Sequence, residues 1–394
     1  MSKLRNGGAS DFLHAFTGKS FRAFSNVVRQ RFVCSFALLL FTASVGAADD
    51  AVAGRPDITP TTASAAPAAA ADASFDAAVD GAVPDVSRRA TVIIADKQAD
   101  GSLKFRTTHY KGEVDANDFW PASTIKLYAA LAALEQVHGL GLPLDVSVTF
   151  EHKDDKGRWI MDCARTLREM LNEVFLSSSN EDYTLLLRMT GRDAINSQFL
   201  TPERGFRKSA LMRGYVTRRP YVYLPAEPQR ITLRAADGMS KTVEHTWGGR
   251  AWSEERGATV IDAKSGNCTT TAEMANCLRR VIFHEQIPAA EQFHISQVMV
   301  DFLRYGGDGL CGLETKNKDS GRYAWEKSGE IVYPQARYFH KCGLISNYVL
   351  TLSCLDDRAN SGRAIILAAS ANSGKADQMR GLSRSLLEWA KAQP

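Results

Sequence analysis

The sequence predicts an α+β fold in which a five-stranded antiparallel sheet, flanked by terminal helices, sits beside a mostly helical subdomain that carries an inserted hairpin. Three observations carry this expectation. Two strand-like runs stand near the start of the globular region, and three more stand in succession near its end. The segments between them, and the segment that closes the chain, repeat apolar residues at three and four. Two strands, a helical block, three strands and a final helix make one sheet carrying both terminal helices.

In chain order, Lys3, Arg5, Lys19, Arg22, Arg29 and Arg31 face only Asp11 and precede the apolar run VCSFALLLFTASV and the small residues Val45-Gly46-Ala47. That run has the length of a signal-peptide core, so residues 1–47 are expected to be a leader cleaved after Ala47, with an uncleaved anchor as the alternative. The formal charge of the whole chain is +4, but outside the leader 42 basic residues stand against 43 acidic ones. A near-neutral remainder argues against nucleic acid as the partner. Residues 48–73, rich in Ala, Pro and Thr, read as a flexible linker, because they hold too few large apolar side chains to bury a core.

The globular region is expected over 74–394. A short helix starts near 74, and strands at 90–96 and 102–110 enclose an Asp100-Gly101 turn. FWPASTIKLYAALAALEQ, at 119–136, is a polar turn followed by an apolar helix. Further helices are expected at 166–178, 181–191, 270–283 and 289–306, so the helical subdomain spans about 119–306. Within it, 213–256 is rich in Arg and Tyr and holds RITLRA and KTVEHTW around Asp237-Gly238. It is an inserted hairpin, either a flap near a site or a structural excursion. ARYFHKCGL, NYVLTLSCL and RAIILAAS are the last three strands, and ADQMRGLSRSLLEWAKA is the closing helix.

Six cysteines remain outside the leader, Cys163, Cys268, Cys277, Cys311, Cys342 and Cys354. For an exported chain that even number points to one or more disulfides of undetermined pairing. No CxxC or HExxH spacing occurs, so no metal is expected.

Three short patterns could carry chemistry. Ser123 and Lys126, three apart on one helical face, can bring an amine to a hydroxyl; the alternative is a helix-capping serine beside a surface lysine. A serine in the first turn also presents an unpaired backbone N–H, half of an oxyanion hole, and a desolvated amine beside other cations can act as a base. Ser178 and Asn180 lie in the break between two helical runs, where a hydroxyl can relay a proton and an amide can hold a substrate carbonyl. Lys341 and Gly343 lie on a strand, as a fixed positive charge and a point of close approach, or as a lysine that protects a sheet edge.

Taken in order, SxxK, SxN and a KxG strand are the set found in class A β-lactamases and penicillin-binding proteins. The region from about 74 to 392 resembles this β-lactamase and D,D-peptidase superfamily. TLREMLNEVFLSSSNEDYTLLLRMTGRDAINSQFL is similar to the family's SDN loop and its flanking helices, and CTTTAEMANCLRRV to its TTTP segment. The resemblance implies a serine β-lactamase-like fold with Ser123 as acylated nucleophile, Lys126 as base and Ser178 as proton relay. It further implies Asn180 as a substrate contact, Lys341 as carboxylate anchor with Gly343 on the same strand, and an oxyanion hole from the N–H groups of Ser123 and Leu344.

Departures from the pattern bear on the substrate. Ser179 stands at the centre of the SxN, and Cys342 replaces the hydroxyl residue of the family's KTG. Intact KSG triplets begin at Lys264 and Lys327, and Lys327 is the alternative to Lys341. The family's ExxxN glutamate has no clear counterpart; Glu254 and Glu255 are candidates for a deacylation base, or else solvated charges.

The expected function is that of an exported serine hydrolase, periplasmic or secreted, acting through a Ser123 acyl-enzyme on a β-lactam or cell-wall peptide amide, lactam or ester. The alternative is a catalytically weak penicillin-binding or pseudo-enzyme module that binds peptidoglycan fragments or a protein partner. No GxSxG elbow supports a Ser-His-Asp hydrolase. The expected partner is a small-molecule or peptide substrate, with no cofactor, no nucleic acid and no membrane span once the leader is removed, and the chain is expected to be a monomer.

Overall fold

The computed structural model describes residues 72–83, 88–222, 224–259, 266–314, 326–372 and 376–394, so the leader and nearly all of the linker lie outside the described residues. Among these residues the chain forms strands β1 (Arg89–Lys97), β2 (Leu103–His109), β3 (Ser147–Lys153), β4 (Trp159–Thr166), β5 (Gln229–Arg234), β6 (Ser240–His245), β7 (Arg337–Ile345), β8 (Tyr348–Asp357) and β9 (Arg363–Asn372). The five strands expected from sequence make one antiparallel sheet in the order β2-β1-β9-β8-β7.

Strands β1, β8 and β9 are buried along almost their whole length because both faces of the sheet are covered. Val92, Ile94 and Leu367 pack with Phe75 and Val79 of helix Ala73–Ala82 and with Leu382 and Leu386 of helix Ala376–Ala392. Ile93, Ile366 and Ala368 point the other way, toward Leu127 and Leu131 of helix Lys126–Gly139 and Met274 and Leu278 of helix Thr271–Ile282. The alternation of side chains thus builds two cores on one sheet.

A second sheet, not expected from sequence, lies within the helical subdomain. The hairpin around Asp237-Gly238 forms as β5 and β6, but it is not isolated: it joins β3 and β4 in a four-stranded antiparallel sheet ordered β4-β3-β5-β6. β3 buries only Val148 and Phe150 among half-exposed polar residues, too short an apolar alternation to stand out. Arg188, on helix Asn180–Thr190, ties this sheet to the helical layer. Its side chain is 0% exposed and donates to Asp162 on β4, to Oε1 of Gln229 on β5 and to the carbonyl of Pro220, 2.7 Å away. Replacing it by Leu takes the nearest cation from the buried Asp162 carboxylate, leaving Arg219 at 3.6 Å and His152 at 3.0 Å, and is expected to lower unfolding free energy by about 3 kcal/mol in a denaturant titration. A change below about 1 kcal/mol would mean that the sheet does not depend on this tie.

Helices Leu167–Leu176 and Asn180–Thr190 form where the periodicity places them. Thr166 and Glu169 close a reciprocal capping box on the first, and Ser179 caps the second. The single helix expected over 289–306 is corrected to a short turn at Ala289–Glu291 and a helix at Gln297–Tyr305. Ser296 caps that helix, while Phe293 and Ile295 enter the core from a bent, non-helical segment. Lys327, of the alternative KSG triplet, lies in helix Glu326–Val332 and not on a strand. Lys264 lies outside the described residues. No disulfide joins the six cysteines among the described residues, which corrects the expectation of disulfides. No helix among the described residues is long and apolar enough to cross a membrane.

Candidate active site

Ser123 lies in a 3-10 turn, Ala122–Ile125, that leads directly into helix Lys126–Gly139. Its N–H, in that first turn, is among the donors a helix start leaves unpaired. The residue before it, Ala122, holds φ at 45°, a left-handed conformation that a side chain disfavours by about 1–3 kcal/mol. The hydroxyl of Tyr215 donates to the Ala122 carbonyl at 2.8 Å and so helps hold this strained turn.

Strand β7 passes immediately beside the turn. A Cβ on Gly343 would lie 2.9 Å from both the Ala122 Cβ and the Ser123 backbone N. The glycine expected as a point of close approach makes room for the backbone of Ser123. Side chains alternate along β7, so Lys341 shares the face of Gly343 while Cys342 packs among the residues beneath the terminal helices. Leu344 is 57% exposed and lines the cleft over Ser123.

Lys126 is 0% exposed. Its Nζ donates to the carbonyl of Ser178 and to Oδ1 of Asn180 at 2.7 Å, and lies 3.3 Å from the Ser178 hydroxyl. The rings of Tyr183 and Tyr215 stand 5.8 Å and 5.7 Å from it and keep water away. Burial first, and then the nearby charge of Lys341, bring its pKa down to about 6. Near neutral pH it is therefore an amine: two N–H groups serve Ser178 and Asn180, and a lone pair is left to accept a proton. No hydrogen bond joins Lys126 to the Ser123 hydroxyl among the described residues, the looser geometry common when no substrate is bound.

Ser178 sits at φ 56° in the loop between the two helices. Its hydroxyl accepts a hydrogen bond from Nζ of Lys341 at 2.8 Å, so it stands between the two lysines. Lys341 is 4% exposed and also donates to the Cys342 carbonyl at 3.2 Å; burial lowers its pKa. Ser179, where the family pattern has an aspartate, caps the following helix and hydrogen bonds to buried Asp182, which pairs with Arg165 at 3.0 Å.

A cleft of about 400 Å³ is lined by Ser123, Asn180 and Leu344, and also by Trp120, Arg213, Tyr215, Thr217 and Asn267. None of these five was singled out from sequence; for Arg213 and Tyr215 the concentration of Arg and Tyr after 213 was the available signal. The insertion thus meets the site through 213–217, and not through β5 and β6. Glu254 and Glu255 do not line the cleft. Both are exposed, and Glu255 is held by Arg250 at 2.7 Å, which lowers its pKa.

Residues 86–301 match the family described as Beta-lactamase enzyme family. No curated protein sequence matches the chain. Among solved structures, a β-lactamase from Sphaerobacter thermophilus is 16% identical with a TM-score of 0.46, over 82% of this chain and 98% of that one. A β-lactamase from Desulfarculus baarsii is 17% identical with a TM-score of 0.48, over 82% and 97%. The structure of PBP-A is 13% identical with a TM-score of 0.49, over 81% and 96%.

Proposed function

Because the chain belongs to the beta-lactamase enzyme family, we propose that it is a serine hydrolase that transfers the acyl group of an amide, lactam or ester to Ser123. The observation that carries this reading is the buried Lys126, poised as a neutral amine one turn from Ser123 and linked through Ser178 to Lys341.

In this reaction the Lys126 amine takes the Ser123 hydroxyl proton as Oγ attacks the substrate carbonyl carbon. The N–H groups of Ser123 and Leu344 receive the oxyanion. When the tetrahedral intermediate collapses, the bond to the leaving nitrogen or oxygen breaks. The leaving atom takes the Ser178 proton, which Lys126 replaces across 3.3 Å. Lys341 donates to the Ser178 oxygen and holds it in place, and its ammonium form adds a positive potential for a substrate carboxylate.

The acyl group then has to be released by water. No carboxylate lines the cleft among the described residues, and beside Lys126 stands the phenol of Tyr215, whose pKa burial pushes up to about 12. A phenol of that kind donates hydrogen bonds and does not activate water. The reading is therefore fast acylation and slow release, toward β-lactams or cell-wall peptides. The leader expected at 1–47 would place this chemistry in the periplasm or outside the cell.

Intact mass after incubation with a penicillin, and separately with an activated ester, tests both halves. One acyl adduct is expected on the wild-type protein, persistent with penicillin and absent in Ser123→Ala. Prompt release of the penicillin adduct would sink the slow half. Neither adduct nor hydrolysis with either probe would sink the enzyme reading and leave the wall-fragment or partner-binding alternative.

A further inference from the structure

Arg213 is the one charged side chain among the described residues that line the cleft. Its side chain is exposed and makes no ion pair or hydrogen bond among the described residues, whereas Arg218 nearby is matched by Glu181 at 3.6 Å. Its backbone, by contrast, is clamped. The Arg213 N–H donates to Oδ1 of buried Asn267 at 2.8 Å, and its carbonyl accepts from Asn267 Nδ2 at 3.0 Å and from the Tyr183 hydroxyl at 2.8 Å. Gly214 follows so close to helix Asn180–Thr190 that a Cβ would meet Thr184 at 2.6 Å, and Tyr215 is bonded to the Ala122 carbonyl. A rigid wall therefore holds an unpaired guanidinium over the same cleft as Ser123. Lys341 does not line the cleft, being buried and hydrogen bonded to Ser178 and Cys342.

We propose that Arg213 is a specificity residue that selects acyl donors bearing an additional anionic group, a carboxylate on the acyl portion remote from the bond that breaks. This rests on the acyl-transfer reading of Ser123. The guanidinium fork matches a carboxylate in two parallel hydrogen bonds, and the absence of acidic lining residues leaves it no competing partner there. Trp120, Leu344 and Ile345 supply an apolar wall for the body of such an acyl group. A substrate with an apolar core and a free side-chain carboxylate fits both features.

Benzylpenicillin and its α-carboxy analogue differ only by a carboxylate on the acyl side chain, and their rates of Ser123 acylation test the assignment. The wild-type protein is expected to prefer the carboxylated probe by about fivefold at low salt. That preference should fade near about 0.5 M salt, disappear in Arg213→Gln and survive in part in Arg213→Lys. A ratio unchanged by Arg213→Gln overturns the assignment. Acylation by neither probe overturns instead the reading of Ser123. In that event, equilibrium binding of the same pair to Ser123→Ala, with and without Arg213→Gln, still decides the matter. A preference for the carboxylated probe that Arg213→Gln removes upholds the role of Arg213, and equal affinities throughout overturn it.

Discussion

Lys126→Met is expected to slow acylation of Ser123 by about 10⁴- to 10⁶-fold, the range seen when a nucleophile loses its base, while the protein remains folded. Methionine fills much of the same buried volume without an amine to desolvate. Lys126→Arg should fail as well, because a guanidinium keeps its proton. In the wild-type protein the acylation rate should rise as pH passes about 6, where Lys126 frees its lone pair. It should decline on the alkaline side as Lys341 loses its charge, since burial lowers that pKa too. The same shift governs stability. Between about 6 and 10.5 the unfolded chain carries a proton on Lys126 that the folded protein does not. Unfolding therefore takes up a proton, and Lys126 makes folding more favourable as pH rises through that window. Lys126→Met should remove this contribution to the slope. Stopped-flow acylation across pH, with urea titrations at the same pH values, measures both. A Lys126→Met protein acylated within about tenfold of wild type would show that another group is the base.

Gly343→Ala should impair acylation through one added methyl group beside the Ser123 turn. The added Cβ would stand 2.9 Å from the Ser123 N and the Ala122 Cβ and 3.3 Å from the Pro121 carbonyl oxygen. Both sides of the contact are held. β7 is hydrogen bonded to β8 along its length, and the Ala122 carbonyl is tied to Tyr215. Relief must move the Ser123 turn or the strand that carries Lys341 and Leu344. A displacement of that kind is expected to reduce acylation by about 10²-fold and stability by about 1–3 kcal/mol. Gly81→Ala is the control, since nothing lies within 4 Å of a Cβ there and the residue is in a helix. That change should leave acylation untouched and stabilise the protein by about 0.5–1 kcal/mol. Equal acylation in the two variants would mean that the approach of β7 to the Ser123 turn does not position the reaction.

The three inner strands of the main sheet, β1, β8 and β9, were legible because burial on both faces demands nearly continuous apolar runs, as in AIILAAS of β9 and VLTLSCL of β8. The helices on either side of Ser178 were legible for a related reason: each pairs a strong apolar stripe with a capping residue. β3 and β4 were not legible, since they bury few apolar side chains and take much of their anchoring from Arg188 and Asp162, which meet only in three dimensions. The long helix expected over 289–306 shows the opposite error. Phe293 and Ile295 are apolar at helical spacing with their neighbours, yet they reach the core from a bent, non-helical segment.

For the site, the chain by itself determined which groups are present and their local spacing: a hydroxyl three residues before a lysine, a hydroxyl and an amide in a helix break, a lysine and a glycine on a strand. Local geometry follows from those spacings, because helical and extended backbones place near neighbours in known directions. Only the tertiary structure decided how these groups act on one another. Burial between Tyr183 and Tyr215, and the nearness of Lys341, turn Lys126 from an ordinary cation into an amine. Ser178 joins two lysines that are far apart in sequence, Glu254 and Glu255 fall outside the cleft, and Arg213 falls inside it. Desolvation and long-range charge depend on what packs around a group, and no local pattern of residues specifies that.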